Sequence, residues 1–247
     1  MLTSFLSHAW ASSPERLAIA AGVTLGFAVL ARVLRGVNGS GAVAGGFSCF
    51  LLFAGAGPVA FAALVALFVM TWLSTRLGHR RKLALGVAER REGRSAWQVL
   101  ANLVAAALGS VFFGTTGNPA WLFAAIAALS EAAVDTVASE IGQVLRSNAR
   151  LITTWKPVPA GTDGGITIPG SSAGAAAGLT IAVVGALGGI ISTRQLWIPV
   201  AAGFVGMLFD SLLGATLQRR GWISNQFVNL IATLASAAIA YAIAISI

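Results

Sequence analysis

The sequence predicts an all-α fold, a polytopic membrane helix bundle of about eight spans. Of its 247 residues 57% are hydrophobic and only 10% are charged, where a soluble domain carries about 25%. Mean hydropathy is +0.83. Apolar runs recur at lengths approaching the ~20 residues a spanning helix needs. The 29 glycines are dispersed through those runs, which suits close helix packing in lipid.

The runs fall at 17–34, 42–56, 58–75, 97–114, 119–139, 174–192, 196–215 and 226–247. The second is short and is expected to cross tilted or to enter only part of the way. Residues 1–14 are expected to lie on the membrane surface. The first ten, MLTSFLSHAW, lack a basic leader and are not read as a cleaved signal peptide. The chain is expected to form one integral membrane domain over 1–247.

Basic residues set the orientation. Arg32 and Arg35 follow the first run. Arg76, Arg80, Arg81, Lys82, Arg90, Arg91 and Arg94 follow the third. Arg146, Arg150 and Lys156 follow the fifth, and Arg219 and Arg220 the seventh. Only Arg16 and Arg194 lie on the other side, so 14 of the 16 basic residues share one face. That bias predicts a cytoplasmic face bearing loops at about 76–96 and 141–172, with both termini outside. It also accounts for the net charge of +8 without nucleic acid, for which the basic loop lacks interleaved aromatic residues. The single cysteine, Cys49, excludes a disulfide framework or cysteine-ligated metal within one chain.

Nearly all polar motifs fall on the basic side, whereas the turns GAGP (55–58) and GTTGNP (114–119) read as plain turn chemistry. GSGAVAGG (39–46) resembles GSSAGAAAG (170–178), WLSTRLGHRR (72–81) resembles LFDSLLGATLQRR (208–220), and QVLANL (98–103) resembles QFVNLI (226–231). A loose duplication of a three-span unit is therefore expected, with halves at about 36–115 and 168–247.

Four spans enter from the basic face with their N-termini there. Two open with small residues, including Ser40, Gly41 and Ser171, and two open with Gln98 and Asn102 or Asn225 and Asn229. Free N–H groups and the positive dipole end suit phosphate; small residues there also suit tight helix packing. Acids are concentrated between the fifth and sixth spans. Glu131 and Asp135 share a helix face at i, i+4, and Glu140 lies near the helix end. Acids inside a span are costly and usually functional. With His8 and His79 peripheral, the ligands on offer for a metal are oxygens, which fits Mg²⁺. The alternative is an ion pair with a buried base such as Arg76. GTDGG (161–165) presents Thr162, Asp163, Gly164 and Gly165 before a helix start, as a phosphate-wrapping loop or as an ordinary Asp-Gly turn. Asp210 in DSLLGATLQ echoes Asp135 in DTVASEIGQ: an acid, a hydroxyl, then Gln eight residues after the acid. Asp210 is a second metal candidate or a packing partner of Asn225 or Arg219. In the basic loop, Arg80, Lys82, Arg91 or Arg94 grips phosphate or merely solvates a surface helix.

Five motifs, STRLG with a following basic residue, QVLAN, DTVASEIG, LITTWKPVPAGTDGG and DSLLGATLQ, together resemble the membrane family that includes plant phytyl-phosphate kinase and animal transmembrane protein 19. The resemblance covers about residues 35–230, in order. It implies transfer of a phosphoryl group from a nucleoside triphosphate, CTP or similar, to a prenyl monophosphate such as phytyl, geranylgeranyl or farnesyl phosphate. By motif position it implies Asp135, Glu140, Asp163 and Lys156 as catalytic residues and Asp135, Glu140, Asp163 and Asp210 as Mg²⁺ ligands. Ser74, in STRLG, joins the residues expected to bind phosphate. Gln226 stands where the pattern leads one to expect an acid. A multi-pass protein of the cell's inner (plasma) membrane, with its active site towards the cytoplasm, is the expectation; a transporter or flippase of a phosphorylated lipid is the alternative.

Overall fold

The computed structural model describes residues 14–89, 91–145 and 148–247. Residues 1–13, for which a surface segment is expected, and Arg90 and Arg146 lie outside that description. The fold is a helix bundle, as the composition predicts. In chain order the helices are α1 (Pro14–Val33), α2 (Gly39–Arg76), the short α3 (His79–Ala84), α4 (Ala96–Thr116) and α5 (Ala120–Val144), followed after a small sheet by α6 (Ile168–Leu187), α7 (Trp197–Thr216) and α8 (Asn225–Ala244). The sheet has strands β1 (Ala149–Leu151), β2 (Pro157–Val158) and β3 (Gly165–Ile166), in the order β2-β1-β3, all antiparallel.

Seven of these helices are long and apolar enough to cross a membrane, yet they make eight arms of near-spanning length. The reason is α2. Its 38 residues would make a straight rod of ~57 Å, nearly twice the hydrocarbon thickness. Gly57 breaks it, with φ 82° and ψ −175°, just before Pro58. This backbone region is open essentially to glycine alone, and proline cannot donate the helical N–H. The far end returns to the start: Trp72 Nε1 and Arg76 Nη2 donate to the Leu34 carbonyl at 3.1 and 2.5 Å. α2 is therefore a hairpin of two antiparallel arms, matching the predicted runs at 42–56 and 58–75.

The first arm crosses fully. At the basic face the Ala96 N–H donates to Ser40 Oγ at 3.2 Å. At the other end a Cβ on Gly55 would sit 2.3 Å from the Ser110 carbonyl, and one on Gly114 would sit 3.3 Å from Gly55. The arm thus runs parallel to α4 for most of its length, held close by missing side chains.

α5 is the core. From Leu122 to Val134 every residue is buried. Its neighbours reach it through small residues and hydroxyls. A Cβ on Gly170, Gly174 or Gly178 would come within 2.5–2.6 Å of Ala138, Val134 or Thr167 atoms, so one i, i+4 stripe of α6 lies directly on α5. Ser130 Oγ donates to the Gly178 carbonyl at 2.9 Å. From α8, Ser236 Oγ donates to the Ala127 carbonyl of α5 at 3.2 Å, and Thr233 Oγ1 to the Ala101 carbonyl of α4 at 3.2 Å.

Two changes at glycine should separate conformation from packing. Gly57→Ala should destabilise the protein by about 1–3 kcal/mol, because alanine must enter a glycine-only region. Gly22→Ala, in α1 with nothing within 4 Å of its added Cβ, should be neutral or stabilising. Thermal unfolding in detergent measures both; equal midpoints would contradict the hairpin geometry.

Candidate functional site

Four helices start at the basic face, each with a polar N-cap. Asn38 accepts from Gly41 N, Thr167 from Gly170 N and Ser224 from Phe227 N. Ahead of α4, Gln98 Oε1 accepts from Ser95 N at 2.8 Å. The loop strands before α2 and α4 are tied together: Asn38 N donates to the Arg94 carbonyl, and Arg94 N to the Gly36 carbonyl. Gly41 is required at this seam, since a Cβ there would sit 2.2 Å from the Arg94 carbonyl.

Beside α5 the starts of α6 and α8 help frame a polar cavity of about 250 Å³. α5 contributes Asp135, Ser139 and Gln143, and α7 contributes Asp210, Ser211 and Gln218. The GTDGG loop supplies Thr162, Asp163, Gly164 and Gly165, and Ser171 and Asn225 stand at the starts of α6 and α8. The loop reaches α7 because both surfaces are bare. Gly164 has φ 72°, and a Cβ on it would meet Ala215 Cβ at 2.4 Å and the Ser211 carbonyl at 2.5 Å. Gly214 faces Gly164 N on the other side.

The acids form a series. Asp210 lies within electrostatic reach of Asp135 and Asp163, and Glu131, deeper in α5, within reach of Asp135 and Asp210. Burial pushes the Asp163 carboxyl above its ordinary value, while Arg219 and a hydrogen bond from Gln218 pull it down. Asn229, with its amide turned to donate, reaches Asp210 Oδ2 at 3.2 Å. Gln143 Oε1 is buried without a hydrogen-bond partner, so the cavity wall carries an acceptor awaiting a donor.

A second cavity, of about 450 Å³, lies towards α1 and α2. Phe27, Gly45, Cys49, Leu64, Leu67 and Phe68 line its apolar body, and Arg35, Arg76, His79, Glu89, Arg91 and Arg94 surround its polar end. Gln98, Asn102 and Gly41 also line it, but their polar groups serve the framework. Gln98 Nε2 donates to Glu89 at 3.0 Å and Asn102 Nδ2 to the Gln98 carbonyl at 2.8 Å.

Several residues expected at a phosphate or metal site stand elsewhere. Glu140 faces away from the aspartate cavity: its Oε2 is 2.5 Å from Lys82 Nζ and its Oε1 accepts from Thr75 Oγ1 at 2.8 Å. Lys82 is fully buried and also donates to the carbonyls of Ser74 and Thr75. This is the alternative the sequence allowed, an internal ion pair, with Lys82 as the base in place of Arg76. Ser74 is buried and donates to the Thr71 carbonyl. Arg80 and Lys156 are exposed and line neither cavity, and Ser40 bridges Asn38 Oδ1 and Ala96 N.

Gln143 and Gln218 also line the aspartate cavity, beyond the residues the motifs point to. The signal was present: each is the glutamine eight residues after an aspartate, and the shared spacing brings both pairs to one cavity.

The chain matches the family described as "Integral membrane protein DUF92" over residues 22–237. It belongs to that family. Among DUF92 relatives, the "Uncharacterized membrane protein sll0875" of Synechocystis is 37% identical over 198 residues, covering 78% of this chain and 77% of that protein. The "Uncharacterized membrane protein MJ0933" of Methanocaldococcus jannaschii is 34% identical over 209 residues, covering 84% and 85%. "Protein VTE6, chloroplastic" of Arabidopsis thaliana is 29% identical over 208 residues, covering 81% and 62%. No solved structure matches.

The buried pair can be weighed by a double-mutant cycle. Lys82→Met or Glu140→Gln alone strands one member, and about 3–5 kcal/mol of stability should be lost; the double variant should recover part of it. Additive losses in denaturation midpoints would show that the two do not act as a pair.

Proposed function

We propose that the chain is a prenyl-phosphate kinase, transferring the terminal phosphoryl group of CTP or a similar nucleoside triphosphate to a prenyl monophosphate. One observation carries this reading: Asp135, Asp210 and Asp163, from two helices and a glycine loop, line one polar cavity among the ends of the basic face. The family resemblance, which takes in plant phytyl-phosphate kinase, supports it.

The donor set fits Mg²⁺. Every candidate ligand is an oxygen, and Mg²⁺ typically takes one or two carboxylates with the rest from phosphate and water. Among the described residues no three His, Cys, Asp or Glu side chains group closely enough to hold an ion by themselves. Asp135 and Asp210 would hold it, with Asp163 at the rim; Glu140, committed to Lys82, is the least suited of the four. When bound, the ion would neutralise phosphate charge and fix the triphosphate's geometry.

The rest falls to the chain. The acceptor phosphate is already an oxyanion, so no strong general base is needed. One of its oxygens bonds to the terminal phosphorus, the bond from that phosphorus to the bridging oxygen breaks, and the nucleoside diphosphate leaves with that electron pair. Alignment and charge compensation therefore dominate. Thr162, Ser171 and Asn225 supply neutral donors and Arg219 positive charge beside Asp163. A carrier of phosphorylated lipid would need polar groups at both faces. Among the described residues the far face carries Arg16, Arg194, the turn polar groups Thr115 and Thr116 and the Asn118–Tyr241 pair, at 3.5 Å, but none of the three aspartates of the cavity. We place the cavity towards the cytoplasm of the plasma membrane, following the basic loops.

Purified protein with Mg²⁺, CTP or ATP, and farnesyl, geranylgeranyl or phytyl phosphate should yield the prenyl diphosphate. No product with any combination would sink the kinase reading. Asp135→Asn and Asp210→Asn should each lower kcat/KM by about 10²-fold or more with unfolding midpoints little changed. Full activity in both would remove them from the site.

A further inference from the structure

We propose that the arginine-rimmed chamber beside α1 and α2 is the acceptor-lipid site. It takes one hydrocarbon chain carrying a phosphate monoester, and Gly45 limits the usable chain length. The proposal rests on the kinase reading for the isoprenoid nature of the chain and on the chamber's own chemistry for the rest.

The chamber has two ends of opposite character. Its body is walled by aromatic and aliphatic side chains. Phe27 packs edge-on against both Phe61 and Phe68, with centroids 5.5 and 5.3 Å apart. Its volume of about 450 Å³ lies in the range of small-ligand pockets, about 300–1,000 Å³, and suits one chain rather than two.

Its mouth is an anion site in waiting. Arg76 is already used, donating to Leu34 and lying 4.2 Å over the Trp72 ring. Among the described residues the side chains of Arg35, Arg91 and Arg94 make no hydrogen bond or salt bridge, so three guanidinium groups outnumber the one carboxylate at the mouth, Glu89. Arg35 adds an independent observation. It occupies the left-handed region at φ 54° just after α1, a place where glycine is usual. Its N–H closes onto the Arg32 carbonyl and Gly36 N onto Ala31. A backbone cost accepted at the rim of a cavity points to a side chain that is needed there. Guanidinium forks match phosphate oxygens in pairs.

The chamber also lies in the right place for transfer. α5 separates it from the aspartate cavity, with Ala132 on the chamber side and Asp135 on the cavity side. Arg94, at the chamber's mouth, acts electrostatically on Asp135. A headgroup held by Arg94 would therefore sit at the border of the two compartments, with its chain still among apolar residues.

Gly45 offers a clean test. A Cβ there would stand 3.6 Å from Val99 Cγ1, an ordinary contact, so larger residues project into the chamber without displacing backbone. Binding of radiolabelled geranylgeranyl phosphate to the full chain in nanodiscs is measured without nucleotide or Mg²⁺, so the outcome is independent of phosphoryl transfer. Unlabelled geranylgeranyl phosphate should compete. Geranylgeraniol and inorganic phosphate should each be at least tenfold weaker, and two-chain phosphatidate should not compete. In the series Gly45→Ala, Gly45→Leu, Gly45→Phe, affinity for the twenty-carbon phosphate should fall stepwise, by tenfold or more at phenylalanine, while ten-carbon geranyl phosphate keeps its affinity. Arg35→Gln with Arg94→Gln should weaken the phosphate at least tenfold and leave the alcohol unchanged.

Wild-type affinity for the long chain in Gly45→Phe would overturn the chamber assignment, as would equal binding of alcohol and phosphate. Stronger competition by lysophosphatidate than by geranylgeranyl phosphate would overturn the isoprenoid occupant. Asp135→Asn should bind lipid normally. If it does while no variant or wild type forms diphosphate, the lipid site stands and the kinase reading falls; an active enzyme indifferent to the Gly45 series gives the reverse.

Discussion

The burial of α5 on every side is the constraint on which the rest of the structure depends. A helix enclosed by others in lipid cannot rely on the hydrophobic effect to hold its neighbours, because lipid tails are as apolar as the helices. Contact has to come from close packing and short polar bonds. α6 brings Gly170, Gly174 and Gly178, α7 brings Gly203 and Gly206 against Ser130 and Glu131, and α8 brings Ser236. Near its basic end this tightly packed rod carries acids that lipid would not tolerate. Glu131 is 1% exposed with Oε1 unpartnered, four residues below Asp135, where the polar cavity opens.

That packing explains how one helix serves two compartments. Residues three apart on α5 face different spaces, so Ala132 closes an apolar chamber while Asp135 enters a polar cavity. Neither compartment belongs to a single element. The cavity needs α7 and the GTDGG loop, brought together through Gly164 and Gly214. The chamber needs the α2 hairpin and the paired strands around Val37 and Arg94. The Lys82–Glu140 pair fastens the short basic helix α3 to the end of α5 between them.

Much of this was legible in the sequence. Eight apolar runs became seven candidate spanning helices, one of them split into two arms at Gly57–Pro58, and the charge bias marked the face where polar motifs gather. The repeated Asp…Gln spacing brought both copies to one cavity. Partner choice was not legible. Glu140 lies in the same motif as Asp135, yet five residues further along a helix is more than a full turn, and only the fold shows that it meets Lys82, 58 residues earlier. Glycine was ambiguous for a similar reason. Gly41 serves a close backbone crossing, Gly164 both a positive φ and a contact, and Gly170 a helix seam, and these uses look alike in sequence. Arg35 gave no local signal beyond its charge, since its conformation and its place at a cavity mouth arise from how α1 ends.

The α2 hairpin also bears on how the chain enters the membrane. Its tip is a glycine and a proline with no charged residue between Gly39 and Arg76, and its far end is fastened through Trp72 and Arg76 to the carbonyl of Leu34, just ahead of its start. Such a segment can be delivered as a pre-paired wedge, with nothing hydrophilic to haul through the bilayer and its polar ends left behind together. The densely basic stretch that follows then lies on the face from which the hairpin entered, and α4 starts from that same face.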